Sequence, residues 1–254
     1  MSSFSPPYIP LSRSVLNLQE RGFALLHSDE FFSLSEHTAA DWKLLSNSWN
    51  HLAEDQYLKD GGKYRKRKHA SVVVTDKSID IPPYRPHFQP ISYNALHGGM
   101  NRIFAPCDEA FLKHPAMYDL LIQLGDLFSQ VMSKEKTSLT PWYVEVHQFR
   151  IDTAHGIGRP TPEGAHRDGV NFVAVLLVDR CAISGGESRV FDAKGPQGQR
   201  FTLDNPWSLL LLDDTKVLHE TTPIQPLDRN QPEKSWRDTL VLTYRQEGFL
   251  EANS

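Results

Sequence analysis

The chain has 254 residues, 39% of them hydrophobic, and a formal net charge of -4 from 27 basic and 31 acidic residues. That length can bury one sizeable core and is read as a single domain over residues 1–254, while the charge balance offers no positive field to draw in nucleic acid or an anionic membrane. Cys107 and Cys181 lack CxxC spacing and are expected to be free thiols, there is no apolar leader pattern at the start and no membrane-length apolar run, so a soluble cytoplasmic protein is expected.

Residues 2–12, with Pro6, Pro7 and Pro10, read as an extended arm ending at a capping serine, Ser12 or Ser14. A helix then runs to Gly22, and Phe23-Ala24-Leu25-Leu26 reads as a short strand. From about Glu30 to His51 the residues Phe31, Phe32, Leu34, Trp42, Leu45 and Trp49 recur at near-helical spacing and predict a second helix packed by that face.

The strongly basic run Gly61–His69 leads into Val72-Val73-Val74-Thr75. One reading is a solvated strand edge, where lysines discourage pairing. The other sets Arg65 and Arg67, two residues apart and so on one strand face, toward an anionic ligand. Pro82, Pro83, Pro86 and Pro90, with His87 among them, make residues 80–100 a rigid loop able to cover a site. A third helix is predicted from about Glu109 to Ser133.

From residue 141 the period becomes that of a strand. Tyr143, Glu145, His147 and Phe149 share one face, and Val144, Val146, Gln148 and Arg150 the other. After a Gly/Pro-rich loop at 155–164, strands are predicted at 171–178, 187–191, 207–212, 217–219 and 239–244. Many short strands after early helices predict a mostly β, α+β fold: a double-stranded β-helix or jelly roll, cupin-like, with its core at 64–75 and 141–246 and helical support at about 11–60 and 109–135.

Gly164-Ala165-His166-Arg167-Asp168-Gly169 precedes the apolar run 172–178 and offers an imidazole and a carboxylate two residues apart. Such a pair carries little weight alone, and His27-Ser28-Asp29 is a second copy, explained by Ser28 or Asp29 capping a helix. His219 follows Asp168 by 51 residues (219 − 168) on a later strand and would complete two histidines and one carboxylate, the set that holds Fe(II) with positions left open. His147 is a rival ligand, more simply read as a core histidine. Arg237, 18 residues past His219 (237 − 219), heads the last strand and suits a bidentate grip on the far carboxylate of 2-oxoglutarate; Arg245 is the alternative clamp.

His166-Arg167-Asp168-Gly169, Ser184-Gly185-Gly186-Glu187-Ser188, Val217-Leu218-His219-Glu220-Thr221-Thr222-Pro223 and Trp236-Arg237-Asp238-Thr239-Leu240-Val241-Leu242-Thr243, in that order, resemble the Fe(II)/2-oxoglutarate dioxygenases of the bacterial L-isoleucine hydroxylase group. His147-Gln148-x-Arg150 and Arg65-x-Arg67 also resemble stretches of that group. The resemblance implies iron on His166, Asp168 and His219, 2-oxoglutarate on Arg237, O2 as oxidant and hydroxylation of a small substrate, a free aliphatic amino acid. Arg65, Arg67, Gln148 and Arg150 are candidates for binding that substrate, and Glu145, Glu187 or a backbone carbonyl for accepting from its ammonium. The alternatives are a cupin-like protein that binds a metal or small acid without turnover, and a dioxygenase acting on a peptide, protein or carrier-bound substrate. The sequence leaves the oligomeric state open.

Overall fold

A computed structural model describes residues 5–94, 96, 98–132 and 141–252. Helix α1 (Ser14–Arg21) stops where the sequence places the stop: Gly22 takes the left-handed conformation, φ 73°, that glycine adopts without strain. Strand β1 (Phe23–Leu26) follows, wholly buried. The expected single helix over 30–51 is instead three pieces: α2 (Ser28–Ser35), α3 (Ala39–Ser46) and a 3-10 turn, Asn47–His51. The break is local chemistry, because Glu36 turns left-handed and Thr38 and Asp41 form a capping box that starts α3 afresh. Helix α2 begins at Ser28 itself, with His27 at the cap position, so neither Ser28 nor Asp29 caps it.

Next come β2 (Ala53–Glu54), β3 (Arg65–Thr75), β4 (Ser78–Asp80) and β5 (Ala105–Pro106). The predicted third helix is divided into α4 (Glu109–Leu112) and α5 (Pro115–Met132), with Pro115 opening the second piece where a missing N–H costs nothing. Its expected end at Ser133, and the support expected to 135, lie outside the described residues, as does the start of the 2–12 arm. The remaining strands are β6 (Trp142–Asp152), β7 (Phe172–Cys181), β8 (Ile183–Gly185), β9 (Glu187–Asp192), β10 (Gly198–Thr202), β11 (Leu209–Asp213), β12 (Val217–Thr221), β13 (Ile224–Pro226) and β14 (Trp236–Arg245).

The large sheet has the order β1-β11-β7-β14-β6-β3-β2, with β4 and β5 also on β3, and is antiparallel apart from the two-residue β3–β5 pairing. A second sheet, β10-β9-β12, and the pair β13-β8 complete the described strands. This is the expected mostly β, double-stranded β-helix arrangement.

Alternation along the strands sorts the two faces of the large sheet. Val144, Val146, Ala174, Leu176, Leu240, Leu242 and Tyr244 point to the helices, where Phe128 of α5 stacks on Phe172 at 4.5 Å and Tyr244 donates to Leu121 O at 3.0 Å. Val173, Leu177, Leu210 and Leu212 point the other way, onto Val190, Phe201 and Val217 of the small sheet. Toward β14, β6 and β3 that inner face turns polar, and the two sheets enclose a cavity instead of a core. Among the described residues no helix is long and apolar enough to cross a membrane. Cys107 and Cys181 are free, as expected.

Candidate metal centre and its cavity

Two histidines far apart in sequence meet through the backbone. His166 and His219 form an antiparallel bridge, with N–H to carbonyl distances of 3.1 and 2.9 Å in the two directions, so their side chains leave the same face. The rings lie 4.7 Å apart between centroids. Asp168, two residues past His166, comes to the same side: one ligand atom from each of His166, Asp168 and His219 lies within 4.8 Å of the others. Asp168 Oδ1 is 3.7 Å from His166 Nε2, and Asp168 Oδ2 is 3.7 Å from His219 Nε2.

The loop that carries Asp168 is tied from beneath. Asp214 accepts the backbone N–H groups of Asp168, Gly169 and Val170 at 3.0, 2.8 and 3.1 Å. Gly169 sits at φ +81°, and a Cβ there would meet the Tyr93 ring at 2.5 Å, so the glycine of the motif is a requirement of close packing. His166 donates from Nδ1 to Gly164 O at 2.9 Å, so Nε2, facing Asp168, is the nitrogen that would bind a metal.

The electrostatics favour a cation. Burial pushes the His219 imidazole down to about 4, with His166 adding to the effect. His166 is equally buried, but the nearby Asp168 and Glu163 carboxylates overcome that and push it up to about 10. Burial and the Asp168 charge push Asp214 up to about 7. Asp168 and Glu163 thus hold positive charge at His166 in the form of a proton, which a divalent cation would displace; with both imidazoles then neutral, they and the Asp168 carboxylate are a donor set suited to Fe(II) with positions left open.

The same cavity contains the other charged candidates. Arg237, on the inner face of β14, is 3% exposed, and its Nε and Nη2 have no protein partner. Burial, then Arg180, push its guanidinium down to about 10. Its sequence neighbour Asp238 points to the other face and binds Arg150 at 2.8 and 2.6 Å. Arg245 lies outside the cavity lining and is spent on Glu247 and Gly248 carbonyls at 3.1 and 2.6 Å. A buried guanidinium with two unused donors in the cavity that the metal-type cluster also lines fits a carboxylate of 2-oxoglutarate.

Arg65 and Arg67 line the cavity and are 6% and 4% exposed, which corrects the reading of the basic run as a solvated edge. β3 is an interior strand paired to β6 on one side and to β2, β4 and β5 on the other. The desolvation is offset by buried Asp55, 2.7 Å from Arg65 Nε and 3.6 Å from Arg67 Nη1. Gln148 and Arg150 are not brought to the cavity. They occupy the opposite face of β6, where Gln148 donates to Ser48 Oγ at 2.7 Å and Arg150 binds Asp238. Strand alternation alone separates them from Glu145, His147 and Phe149, which do line it. Glu187 is also elsewhere, paired with Arg189 at 2.7 Å. His147 stands apart from the His166 cluster; it accepts from Arg67 Nη2 at 2.8 Å and belongs with His69, His87 and Glu145.

The 80–100 loop expected to cover a site, and Arg102 just beyond it, supply residues to which the sequence reading gave no role. Gln89 donates to Asp168 Oδ1 at 3.0 Å, and Arg102 and His87 also line the cavity. No periodicity marks them, because the segment is irregular. The only sequence signal was its proline content and the histidine among the prolines.

A jelly roll whose two sheets enclose a two-histidine, one-carboxylate cluster beside a buried arginine defines a class of metal-dependent oxygenase. The model of the 2OG-Fe dioxygenase family matches residues 46–243, and the chain belongs to that family. Its members use Fe(II), 2-oxoglutarate and O2, and the chain is accordingly a 2-oxoglutarate- and iron-dependent dioxygenase. Among solved structures, a bsmA homolog from Methylobium petroleophilum PM1 is 44% identical over 99% of both chains, with a TM-score of 0.89. IDO from Bacillus thuringiensis (18% identity, 93% of this chain and 99% of that one, TM-score 0.74) and the Fe(II)/(alpha)ketoglutarate-dependent dioxygenase TqaL (19%, 93% and 87%, 0.68) share the fold. A comparison with curated proteins finds no match.

Proposed function

We propose that the protein hydroxylates an unactivated C–H bond of a small substrate, a free aliphatic L-amino acid, as the isoleucine hydroxylase group does. His166, Asp168 and His219 would hold Fe(II), and Arg237 would hold the far carboxylate of 2-oxoglutarate. When bound, iron with 2-oxoglutarate and O2 supplies the oxidising power, with 2-oxoglutarate leaving as succinate and CO2. The chain's own part is to bind, orient and exclude water.

The observation that carries the substrate class is a second set of unused guanidinium donors in the cavity, separate from Arg237. Arg65 Nη2, Arg67 Nε and Arg102 Nε are buried without hydrogen-bond partners. One buried carboxylate, Asp55, faces Arg65 and Arg67, so the group retains net positive charge. A substrate carboxylate would satisfy it. Arg65 lies level with Arg237 across the sheet, two strands away through Ile151, or roughly 10 Å at strand spacing. Two separate carboxylates can therefore occupy the cavity, one from each acid. Val175, Val241 and Phe149 supply apolar wall for an aliphatic side chain.

A cupin-like binder without turnover has no use for an unpartnered buried arginine in the same cavity as the metal-type cluster. The deciding experiment is succinate release from 2-oxoglutarate with Fe(II) and ascorbate, screened over the free amino acids, with short peptides as the comparison set. Release stimulated by an aliphatic amino acid supports the proposal; stimulation by peptides alone moves the substrate class, and none at all favours the binder.

A further inference from the structure

Next to the arginines the cavity runs into a cluster of four buried titratable side chains, His69, His87, Glu145 and His147, which the reading above does not use. The strand register assembles it. His69 of β3 pairs with His147 of β6, and Glu145, two residues along β6, emerges on the same face. His87 reaches in from the covering loop and hydrogen-bonds through Nδ1 to Glu145 Oε2. The His69 and His147 rings stack at 4.8 Å, and His87 packs edge-on against both.

Such a group invites a metal, but its hydrogen bonds argue otherwise. Arg67 donates from Nη2 to His147 Nδ1 at 2.8 Å, and an arginine has only donors to offer. The neutral His147 therefore carries its proton on Nε2, the nitrogen that faces Glu145 at 3.9 Å, and that nitrogen has no lone pair for a cation. The cluster is instead a carboxylate ringed by imidazoles. Burial disfavours charge on Glu145, yet His87 and His69 hold it well below the usual carboxylate range. Glu145 Oε1 is buried and accepts no hydrogen bond. His69 Nε2 at 3.8 Å and Arg85 Nη1 at 3.7 Å form long ion pairs with it, beyond hydrogen-bond reach; Arg85 Nη2 is engaged by Glu251 at 2.9 Å, and its Nη1 is buried without a hydrogen-bond partner. An ionised oxygen that accepts no hydrogen bond at the wall of a cavity leaves room for a closer cationic donor than these two.

Resting on the amino-acid reading above, we propose that Glu145, oriented by His87 and flanked by His147, is the subsite for the substrate's ammonium group. Two adjacencies support it. The Arg67–His147 hydrogen bond makes the unused guanidinium donors immediate neighbours of the carboxylate cluster, so anion and cation subsites adjoin as the two charged groups on one α-carbon do. His87 touches Glu145 and Gln89, two residues on in the same loop, touches Asp168, and all four line one cavity. An ammonium at Glu145 therefore sets the aliphatic carbons, a few bonds on, against the His166–Asp168–His219 face. The subsite selects α-amino acids over the corresponding 2-oxo or simple carboxylic acids.

The test is calorimetric titration of the full chain loaded with Ni(II) and 2-oxoglutarate, with 3-methylbutylamine as a probe lacking the carboxylate and 4-methylpentanoate as a probe lacking the amine. Wild type should bind the amine saturably, and Glu145→Gln should weaken it about tenfold or more, as loss of one partner of a buried charge pair does. Affinity for Ni(II) and 2-oxoglutarate should hold, and 4-methylpentanoate should bind no less well. No amine binding by wild type, or equal binding by Glu145→Gln, overturns the subsite. If Glu145→Gln loses Ni(II) binding and has therefore misfolded, His87→Gln takes its place, and unchanged amine affinity in that variant overturns the proposal equally. Amine binding that depends on Glu145, with no amino acid releasing succinate, would instead leave the subsite standing and defeat the amino-acid reading.

Discussion

Gln89 donates its side-chain N–H to Asp168 Oδ1 at 3.0 Å, while its own Oε1 accepts from Asn94 Nδ2 at 3.1 Å and Arg102 Nη2 at 3.3 Å. A residue of the covering loop therefore fixes one oxygen of the carboxylate proposed to hold iron. Partners that orient metal ligands typically change metal affinity or activity by about 10–100-fold when removed. Gln89→Leu should weaken Fe(II) binding within that range and lower turnover with it, whereas Gln89→Glu, which sets a second carboxylate against Asp168, should do more damage. Fe(II) titration under argon, followed by turnover at saturating metal, separates the two effects.

Arg237→Met should raise the 2-oxoglutarate requirement by about 100-fold, the order expected when a charge-assisted bidentate contact of about 3 kcal/mol is lost. Arg245→Met should leave it unchanged, since that guanidinium is occupied by Glu247 and Gly248 outside the cavity. Apparent KM for 2-oxoglutarate in both variants checks the assignment.

The His87 imidazole is pushed down to about 4 by burial, against the pull of Glu145. Between about pH 6.5 and that value the unfolded chain carries a proton on this residue that the folded chain does not, so stability rises with pH across the window and is lost as pH falls through it. Glu145, whose folded carboxyl is depressed, adds a loss of the same sign at still lower pH. His87→Gln should therefore show a shallower fall in thermal midpoint from pH 7 to 4.5 than wild type, read by calorimetry on the metal-free protein.

Asp214 accepts three backbone N–H groups from the loop that bears Asp168. Removing it leaves those donors without a partner, at a cost of about 2–3 kcal/mol. Asp214→Ala should lower the chemical-denaturation midpoint by that amount and weaken Fe(II) binding, and Asp214→Asn, which keeps an accepting oxygen, should do less of both.

Regular strands made much of this molecule legible in the sequence. Period-two alternation along 142–150 puts Glu145 and His147 on one face and Gln148 and Arg150 on the other, and the structure keeps that division. The resemblance of His147-Gln148-x-Arg150 drew Gln148 and Arg150 into the substrate group; the pleat carries them to the other face, to Ser48 and Asp238. Meeting of His166 with His219 depends on a backbone bridge between a loop and a strand, which spacing does not encode and chain order only suggested. Gln89 and Arg102 were hidden, and His87 had no assigned role, because an irregular loop has no period; their positions follow from the His87–Arg102 bridge and from the hydrogen bonds of Gln89 to Gly99, Asn94 and Arg102. The helix expected over 30–51 shows the opposite limit: its hydrophobic face continues, but Glu36 and the Thr38 cap interrupt the backbone.

The most direct measurement is iron stoichiometry together with succinate formation in wild type and His219→Ala, under argon for binding and in air for turnover. The account predicts one Fe(II) per chain in wild type, with succinate released and the responding amino acid gaining one oxygen atom, and loss of both binding and succinate in the variant. Full iron binding with undiminished succinate from His219→Ala would contradict it.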